Sequence, residues 1–308
     1  MGEVVECVPN FSTSETEVVE AILNEIRKTE GAYLLDHTYD NYYNRLVVSF
    51  VGDRESVLTA ALNSATKAIE LIDMNKHKGQ HPRIGAVDVV PFIPIEGVSM
   101  DDCIELARQF GKRLAERCNV PVYLYGEAAT RPERRDLDWI RRGEYEKLRE
   151  MITKPERIPD FGPPLPHPTA GATITGARKL MVGFNINLGT PDIRIAKRIA
   201  GALHVKKGGL ANVKAMAAEI PERGITQIGM SIYEFEKTPL YRVFELVKIE
   251  AERYNVPVIG AEFCGMVPLR AIIDAVAYYL KIENLDEHRV LEIAIQKAME
   301  KGMREGVP

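Results

Sequence analysis

Apolar positions in the first half of the chain switch repeatedly between the strand period and the helix period. Residues 4–9 predict a short strand, and the S-x-x-E sequence from Ser14 to Glu17 predicts a capping box that opens a helix over 15–28. Further strands are predicted over 32–35, 45–51, 86–94 and 120–125, and further helices over 55–72 and 100–118. This half therefore favours strands alternating with helices.

The pattern resumes beyond a proline-rich segment, where six prolines fall between Pro155 and Pro168. Proline removes backbone donors and fixes φ, so this segment predicts a linker or a binding loop. Strands are then predicted over 180–188, 213–220, 225–233 and 257–262, and helices over 191–203, 240–254, 269–277 and 288–301. The repeated alternation predicts an α/β protein with two subdomains, 1–179 and 180–308.

Composition narrows the classes of function. Apolar residues make up 45% and charged residues 27% of the 308 residues, as in soluble globular proteins. The net charge of −4 provides no basic field for nucleic acid or an anionic membrane, so we expect neither partner. The N-terminus lacks the features of a secretory signal, and no apolar run reaches the length of a membrane span, which favours a cytoplasmic protein. The four cysteines and six histidines show no metal-ligand spacing, so no metal site is predicted.

The most unusual polar cluster is the segment KHKGQHPR, which ends at Arg83. Pro82 holds the backbone of His81 extended, and the nearby charges of Lys78 and Arg83 disfavour an imidazolium ion. A neutral histidine on a loop can accept a proton, so His81 is a candidate base, while a solvated basic loop fits the same residues. His77 is expected to finish the preceding helix.

A second feature runs from Gly162 to Gly176, where prolines stiffen the chain and small residues then open it. Backbone can approach a flat ligand closely at such a segment. An ordered linker between subdomains fits the same composition. Neither G-x-G-x-x-G nor the P-loop lysine pattern is present, which argues against nucleotide binding.

Polar side chains also interrupt apolar regions elsewhere. Asp36 and Asp40 lie in a predicted connection between two strands, where acids can orient a base or simply form a solvated turn. Asn185 and Asn187 stand within an apolar strand and need hydrogen-bond partners from backbone or ligand. Glu262 ends a predicted strand, as a ligand contact or a helix cap.

Longer motifs run through the chain. They are VECVPNFS from Val5, LIDM from Leu71, HKG from His77, HPR from His81, DV from Asp88, PFIP from Pro91, PVYLYGEAA from Pro121, TGARK from Thr175 and FNINL from Phe184. In these motifs the sequence resembles the glutamate formiminotransferases, found alone or as the first domain of bifunctional formiminotransferase-cyclodeaminases. The resemblance covers essentially the whole chain.

The resemblance implies that His81 is the acid/base of formimino transfer between a tetrahydrofolate derivative and glutamate. These two small molecules are the implied substrates, and no metal is implied. The implied folate-binding segment is Gly162, Pro163, Pro164, Leu165, Pro166, His167, Pro168, Thr169, Ala170 and Gly171. Asp36 or Asp40 is expected to orient His81, because Thr38 stands where the family has an aspartate.

Further polar residues are expected to contact substrate. Arg83 and Arg178 are predicted to bind substrate carboxylates by bidentate pairing. Asn185, Asn187 and Glu262 are the other predicted substrate contacts, and Glu262 replaces a glutamine of animal members.

The resemblance also implies an architecture and leaves two alternatives open. It implies two similar α/β subdomains with mixed sheets that face each other across a folate tunnel, helices outside, and a homodimer. Because the chain ends soon after the last predicted helix, we expect a transferase without a cyclodeaminase domain. One alternative is formyl transfer from 5-formyltetrahydrofolate on the same fold. The other is a folate-binding module without turnover.

Overall fold

The computed structural model describes residues 2–41 and 43–304, and the chain divides into two compact units between Leu180 and Met181. The first unit contains β1 (Val4–Cys7), β2 (Asn10–Phe11), α1 (Thr16–Arg27), β3 (Ala32–Asp40), β4 (Arg45–Gly52), α2 (Arg54–Leu71), β5 (Val87–Glu96), α3 (Met100–Cys118), β6 (Val122–Gly126), α4 (Leu137–Arg141), α5 (Glu144–Met151) and β7 (Thr173–Ala177). The second contains β8 (Met181–Leu188), α6 (Ile193–Leu203), β9 (Val213–Ile220), β10 (Ile225–Tyr233), α7 (Leu240–Glu252), β11 (Val258–Cys264), α8 (Leu269–Leu280) and α9 (Leu291–Arg304). The predicted α/β class is confirmed.

The first unit is built on a seven-stranded mixed sheet. β1 and β2 both lie between β4 and β5, with β3 outside β4 and with β7 and β6 beyond β5. The pairs β5–β7 and β7–β6 are parallel, and the other pairs are antiparallel. This arrangement places the segment before β5 and the segment before β7 next to each other, because the two strands run side by side in the same direction.

Helices α1, α2 and α3 cover one face of this sheet around the main apolar core. In α3 the predicted apolar stripe is buried and includes Leu106, Phe110 and Leu114. The helix starts with a capping box, in which Ser99 Oγ accepts from Asp102 N at 3.1 Å and an Asp102 oxygen accepts from Ser99 N at 2.9 Å. Such a cap contributes about 1 kcal/mol.

The capping box predicted at Ser14 and Glu17 is wrong. The helix begins after Glu15 without a side-chain cap, and Ser14 Oγ instead donates to Asn44 Oδ1 at 3.0 Å. A tertiary hydrogen bond to the β3–β4 turn has replaced the local one, which sequence spacing alone cannot reveal.

The polar segment predicted as a turn after residue 35 is mostly strand, because β3 continues to Asp40. β3 pairs only with β4, with Asp36 opposite Ser49 and Asp40 opposite Arg45. Charged and polar side chains are common on such edge strands, so their composition resembles that of a turn.

The sequence analysis does not predict two short helices, α4 and α5, or two strands, β2 and β7. α4 and α5 cover part of the other sheet face, around a second apolar cluster that includes Ile140, Leu148 and Ile174. The residues of β7 fall within the segment from Gly162 onward for which the sequence favours a linker or a binding loop. In the structure they form a strand that is buried between β5 and β6. The small residues of β7 allow neighbouring strands to pack closely. The helices α4 and α5 each contain too few apolar residues to show a clear helical period.

The second unit has a four-stranded sheet in the order β11–β8–β10–β9. All of its described pairings are antiparallel, so the mixed sheet predicted here is wrong for this unit. Alternate residues of β8, including Val182 and Ile186, are buried in the unit. The stacked rings of Tyr241 and Tyr278 pack α8 against α7.

Candidate active site

His81 lies in the segment between α2 and β5, and residues 77–83 are called the histidine loop below. The loop is anchored to the β3–β4 turn through Asn44, whose Nδ2 donates to Lys78 O at 2.9 Å. The Asn44 carbonyl oxygen lies 2.9 Å from His77 Nε2. A Cβ atom at Gly79 would lie 2.3 Å from the Tyr43 carbonyl oxygen, so only glycine permits this approach.

His81 itself borders a small polar cavity formed within the first unit. Phe11, Ser12, Arg45 and Asp88 are among the residues that line it, together with His77 and Arg83. Burial lowers the pKa of His81 from 6.5 to about 2, with further lowering from the charges of Arg45, Arg141 and Arg83, while a hydrogen bond to the Pro82 backbone opposes the shift. The imidazole is therefore neutral, as the sequence predicted. Of the two cations that the sequence predicted, Arg83 contributes and Lys78 does not, whereas Arg45 on β4 and Arg141 on α4 add charges that were not predicted.

Arg83 is buried, with only 7% of its side chain exposed. Its Nη1 donates to Glu144 Oε2 at 2.9 Å, and its Nη2 donates to Glu146 Oε1 at 2.6 Å. Its Nε donates to His77 Nδ1 at 3.3 Å. The structure thus gives Arg83 two protein carboxylates where a substrate carboxylate was predicted.

Asp88 is the acid that shares the cavity of His81. Its carboxylate accepts from Ile84 N at 3.0 Å and pairs with the Arg141 guanidinium. Neither Asp36 nor Asp40 lines this cavity, and Asp40 accepts from Tyr43 N at 2.8 Å in the turn after β3. The orienting role predicted for Asp36 or Asp40 does not match these positions, because β3 lies at the sheet edge.

The predicted folate segment, residues 162–171, ends directly beside the histidine loop. His167 N donates to Gly171 O at 2.8 Å, and His167 Nδ1 accepts from Ala170 N at 3.0 Å, so this part is a tight, ordered turn. Ala172 N donates to Ile84 O at 3.0 Å. Leu165 remains 61% exposed. Two features that are far apart in sequence therefore meet at the paired starts of β5 and β7.

Arg178 lies at the other end of β7. Its backbone N donates to Phe92 O at 3.2 Å, and its Nη1 donates to Lys179 O at 3.0 Å. The strand separates it from Ala172 by roughly 20 Å at about 3.3 Å per residue. Burial raises the pKa of Glu6, and the charge of Arg178 opposes that shift. Arg178 is thus not grouped with His81.

The predicted polar residues of the second unit form one hydrogen-bonded cluster. Gln227 Nε2 donates to Asn187 Oδ1 and to Glu262 Oε1, each at 2.8 Å. Asn185 Nδ2 lies 3.5 Å from the same Glu262 oxygen. Asn187 is only 5% exposed, whereas Glu262 is exposed. The cluster holds a carboxylate at the surface of this sheet.

A wider, open cavity of about 590 Å³ borders the outer side of the histidine loop. Its lining includes Lys78 and Lys147 as well as Arg83 with its partners Glu144 and Glu146. His77 and Arg83 line both this cavity and the small one, so they form part of the wall between the two.

Among residues 2–41 and 43–304, no group of three or more histidine, cysteine, aspartate or glutamate side chains is placed to hold a metal ion. Within the same residues, no helix combines the length and the apolarity needed to cross a membrane.

Sequence reasoning missed several residues of this site, namely Arg45, Asp88, Arg141, Glu144, Glu146 and Gln227. The sequence analysis names Asp88 only within a motif, and Arg45 only as the start of a predicted strand. The available signal was a charged residue beside apolar strand positions, since a buried charge requires a partner. The partners of Asp88 and Arg83 come from α4 and α5, two helices that the sequence analysis does not predict.

The fold is that of an α/β protein of two units, in which a neutral histidine lies beside an ordered proline-rich segment. The model of the formiminotransferase domain, N-terminal subdomain, matches residues 4–178, and the model of the formiminotransferase domain matches residues 183–304. The chain therefore belongs to the formiminotransferase domain family.

Curated relatives agree with this membership. A formimidoyltransferase-cyclodeaminase of Rattus norvegicus is 47% identical over 300 residues, covering 94% of this chain and 56% of the relative. The chain thus spans about half the length of that relative. A glutamate formimidoyltransferase of Streptococcus pyogenes serotype M1 is 41% identical, covering 94% of this chain and 97% of the relative. Another glutamate formimidoyltransferase, from Thermoplasma acidophilum, is 43% identical, covering 96% of this chain and 98% of the relative.

Proposed function

We propose that this protein transfers a formimino group between 5-formiminotetrahydrofolate and L-glutamate, with His81 as the general acid/base. The observation that carries this proposal is the nearly end-to-end match to two glutamate formimidoyltransferases. The neutral His81 beside the 162–171 segment supports the assignment of roles within it.

The chemistry requires two proton movements. The α-amine of glutamate attacks the formimino carbon, so a new C–N bond forms and the C=N electron pair moves to the imino nitrogen. The adduct collapses when the electron pair on the imino nitrogen re-forms the C=N bond and the C–N5 bond breaks, with N5 keeping the electrons of that bond and taking a proton. His81 accepts the proton lost by the amine and delivers one to N5, a role that typically contributes 10²–10⁴-fold. The enzyme ends with its original protonation, and no metal is needed.

The low pKa of His81 fits this role if substrate changes its surroundings. At a pKa of about 2 the free imidazole is a weak base. Burial is the largest cause of that shift, and the charges of Arg45, Arg141 and Arg83 add to it, so an anionic substrate bound near these arginines offsets the charged part of the lowering. Glutamate carries two carboxylates at neutral pH. Acceptor binding thereby activates the base.

Binding roles follow from the residues of each unit. In the first unit, the proposed folate contacts are the residues of the segment 162–171, and Asp88 replaces Asp36 and Asp40 as the acid near His81. In the second unit, Glu262 is proposed to accept hydrogen bonds from substrate, because Gln227 already fixes one of its oxygens. Asn185, Asn187 and Arg178 are proposed to support or contact the substrates.

Assays with both donors test the proposal. Purified protein, L-glutamate and 5-formiminotetrahydrofolate should yield N-formimino-L-glutamate and tetrahydrofolate in a reversible reaction. Turnover with 5-formyltetrahydrofolate alone would favour formyl transfer instead. If the protein binds folate but forms no product from either donor, the result would favour a folate-binding module without turnover. We further propose a cytoplasmic homodimer acting in histidine degradation, for which the mass in solution is the first check.

A further inference from the structure

The side chains of His77 and Arg83 join the two ends of the histidine loop. Arg83 Nε donates to His77 Nδ1 at 3.3 Å, so this contact closes a ring of backbone that carries His81. The prediction that His77 finishes the preceding helix is wrong, because α2 ends at Leu71.

The contact fixes the protonation state of His77. A guanidinium has no acceptor, so Nδ1 must present a lone pair to Arg83 Nε. The neutral ring then carries its proton on Nε2, which donates to the Asn44 carbonyl oxygen at 2.9 Å. A doubly protonated ring would turn two donors toward each other and place a cation beside Arg83.

Both partners of this contact are fixed on opposite sides of the loop. Asn44 holds His77 from the β3–β4 turn. Glu144 and Glu146, at the start of α5, hold Arg83, and Tyr145 N donates to the Arg83 carbonyl oxygen at 2.9 Å. The imidazole–guanidinium contact therefore links the side of the loop held by the β3–β4 turn to the side held by α5.

We propose that His77 is a positioning residue for the transfer, which through Arg83 holds the loop in the geometry that presents His81, and that only its neutral, Nε2-protonated form does so. This inference rests on the proposed function. It also gives Arg83 a positioning role in place of substrate binding. Misplacement of a reacting group by about 1 Å can cost on the order of 10²-fold in rate.

The charges that face His77 come from several elements. Arg83 lies within the loop, and Glu144 and Glu146 lie on α5. Arg45 is the first residue of β4, and Asp88 is the second residue of β5. His81, Lys78 and Lys147 also line the cavities that His77 borders. Burial lowers the pKa of His77 and Arg83 adds to the lowering, whereas the Asn44 hydrogen bond and Glu146 oppose it. The neutral form thus prevails at neutral pH and is lost in acid.

Kinetics of two substitutions test the proposal. In His77→Asn, the amide oxygen can still accept from Arg83 without titrating, whereas His77→Ala removes the acceptor. We expect His77→Ala to lower kcat by on the order of 10- to 100-fold with little change in the KM for folate. His77→Asn should retain clearly more activity. We expect the kcat/KM of the wild type to fall in acid as His77 is protonated, and this acid limb should be absent from His77→Asn. The exposed His288→Asn serves as the matched control and should resemble the wild type.

A spectroscopic measurement separates this proposal from the proposed function. In ¹⁵N-histidine-labelled protein without substrate, the His77 ring should show the Nε2-protonated tautomer, and Arg83→Ala should disturb it. Wild-type kinetics in His77→Ala, an unchanged acid limb in His77→Asn, or the opposite tautomer would each overturn the inference. Absence of transfer in the wild type, with the expected tautomer present, would instead count against the proposed function.

Discussion

A Cβ atom at Gly171 would lie 2.4 Å from the carbonyl oxygen of Ile84, closer than real Cβ contacts permit. Gly171 also has a φ of +71°, a conformation that side chains rarely adopt. This close approach joins the end of the 162–171 segment to the residue that directly follows the histidine loop. The distance between the proposed folate segment and His81 therefore depends on residue 171 being glycine.

Gly171→Ala is expected to weaken folate binding. The added methyl group must push the segment away from Ile84, so the KM for folate should rise and the free energy of unfolding should fall by about 1–3 kcal/mol. Titration with folate and chemical denaturation measure the two effects. Gly208→Ala is the matched control, because Gly208 has a φ of +84° and nothing within 4 Å of a built Cβ. Equal folate affinities in the two variants would contradict the assigned role of the contact.

His81→Ala should abolish transfer while folate binding stays nearly intact. Loss of the acid/base is expected to lower kcat by about 10²–10⁴-fold. Steady-state turnover and equilibrium folate binding measure the two properties separately. The control is His204→Ala in the second unit, where His204 Nδ1 only caps a local turn through Lys206 N. Near-normal turnover in His81→Ala would remove His81 from the mechanism.

Stability should fall as the pH drops below 6.5, in part because of His81. Its pKa is about 2 in the folded protein against 6.5 when unperturbed, so between these values the unfolded state binds the proton and the folded state does not. The stabilisation is complete above pH 6.5 and declines toward pH 2, by less than about 1.4 kcal/mol per pH unit for one proton.

Denaturation of His81→Asn at several pH values measures this contribution. The variant should show a shallower loss of stability in acid than the wild type. Some slope should remain, because burial also lowers the pKa of His77 and His167. His288→Asn should leave the slope unchanged, and identical slopes for the wild type and His81→Asn would argue against the low pKa.

Arg141→Met is expected to destabilise the protein and to raise the pKa of His81. The substitution leaves the Asp88 carboxylate, which is only 3% exposed, without its cationic partner. Breaking a buried pair typically costs about 3–5 kcal/mol, so the free energy of unfolding should fall by about that amount. The double variant with Asp88→Asn should recover much of the loss.

The neighbouring Arg142→Met provides the control, because Arg142 is exposed. Its unfolding free energy should stay within about 0.5 kcal/mol of the wild type. An NMR titration of His81 in both variants reports the pKa. A His81 pKa that does not rise in Arg141→Met would show that this guanidinium does not lower it.

The long helices and strands and the family resemblance could be predicted from the sequence alone. The apolar stripe of α3 and the alternation in β10 have clear periods, because each buries one face over many residues. The HPR motif and the proline-rich segment also stood out, since both are unusual in composition. Membership in the family follows from motifs spread along nearly the whole chain.

Which charged side chains lie next to each other depends on contacts made in the tertiary structure. Asp36 and Asp40 had the right chemistry to orient His81, yet their edge strand keeps them out of its cavity. Arg141 and Asp88 are 53 positions apart and pair through a short helix with no clear period. Burial and ion pairing depend on contacts distant in sequence, whereas periodicity reports only local order, so the environment of His81 became visible only in three dimensions.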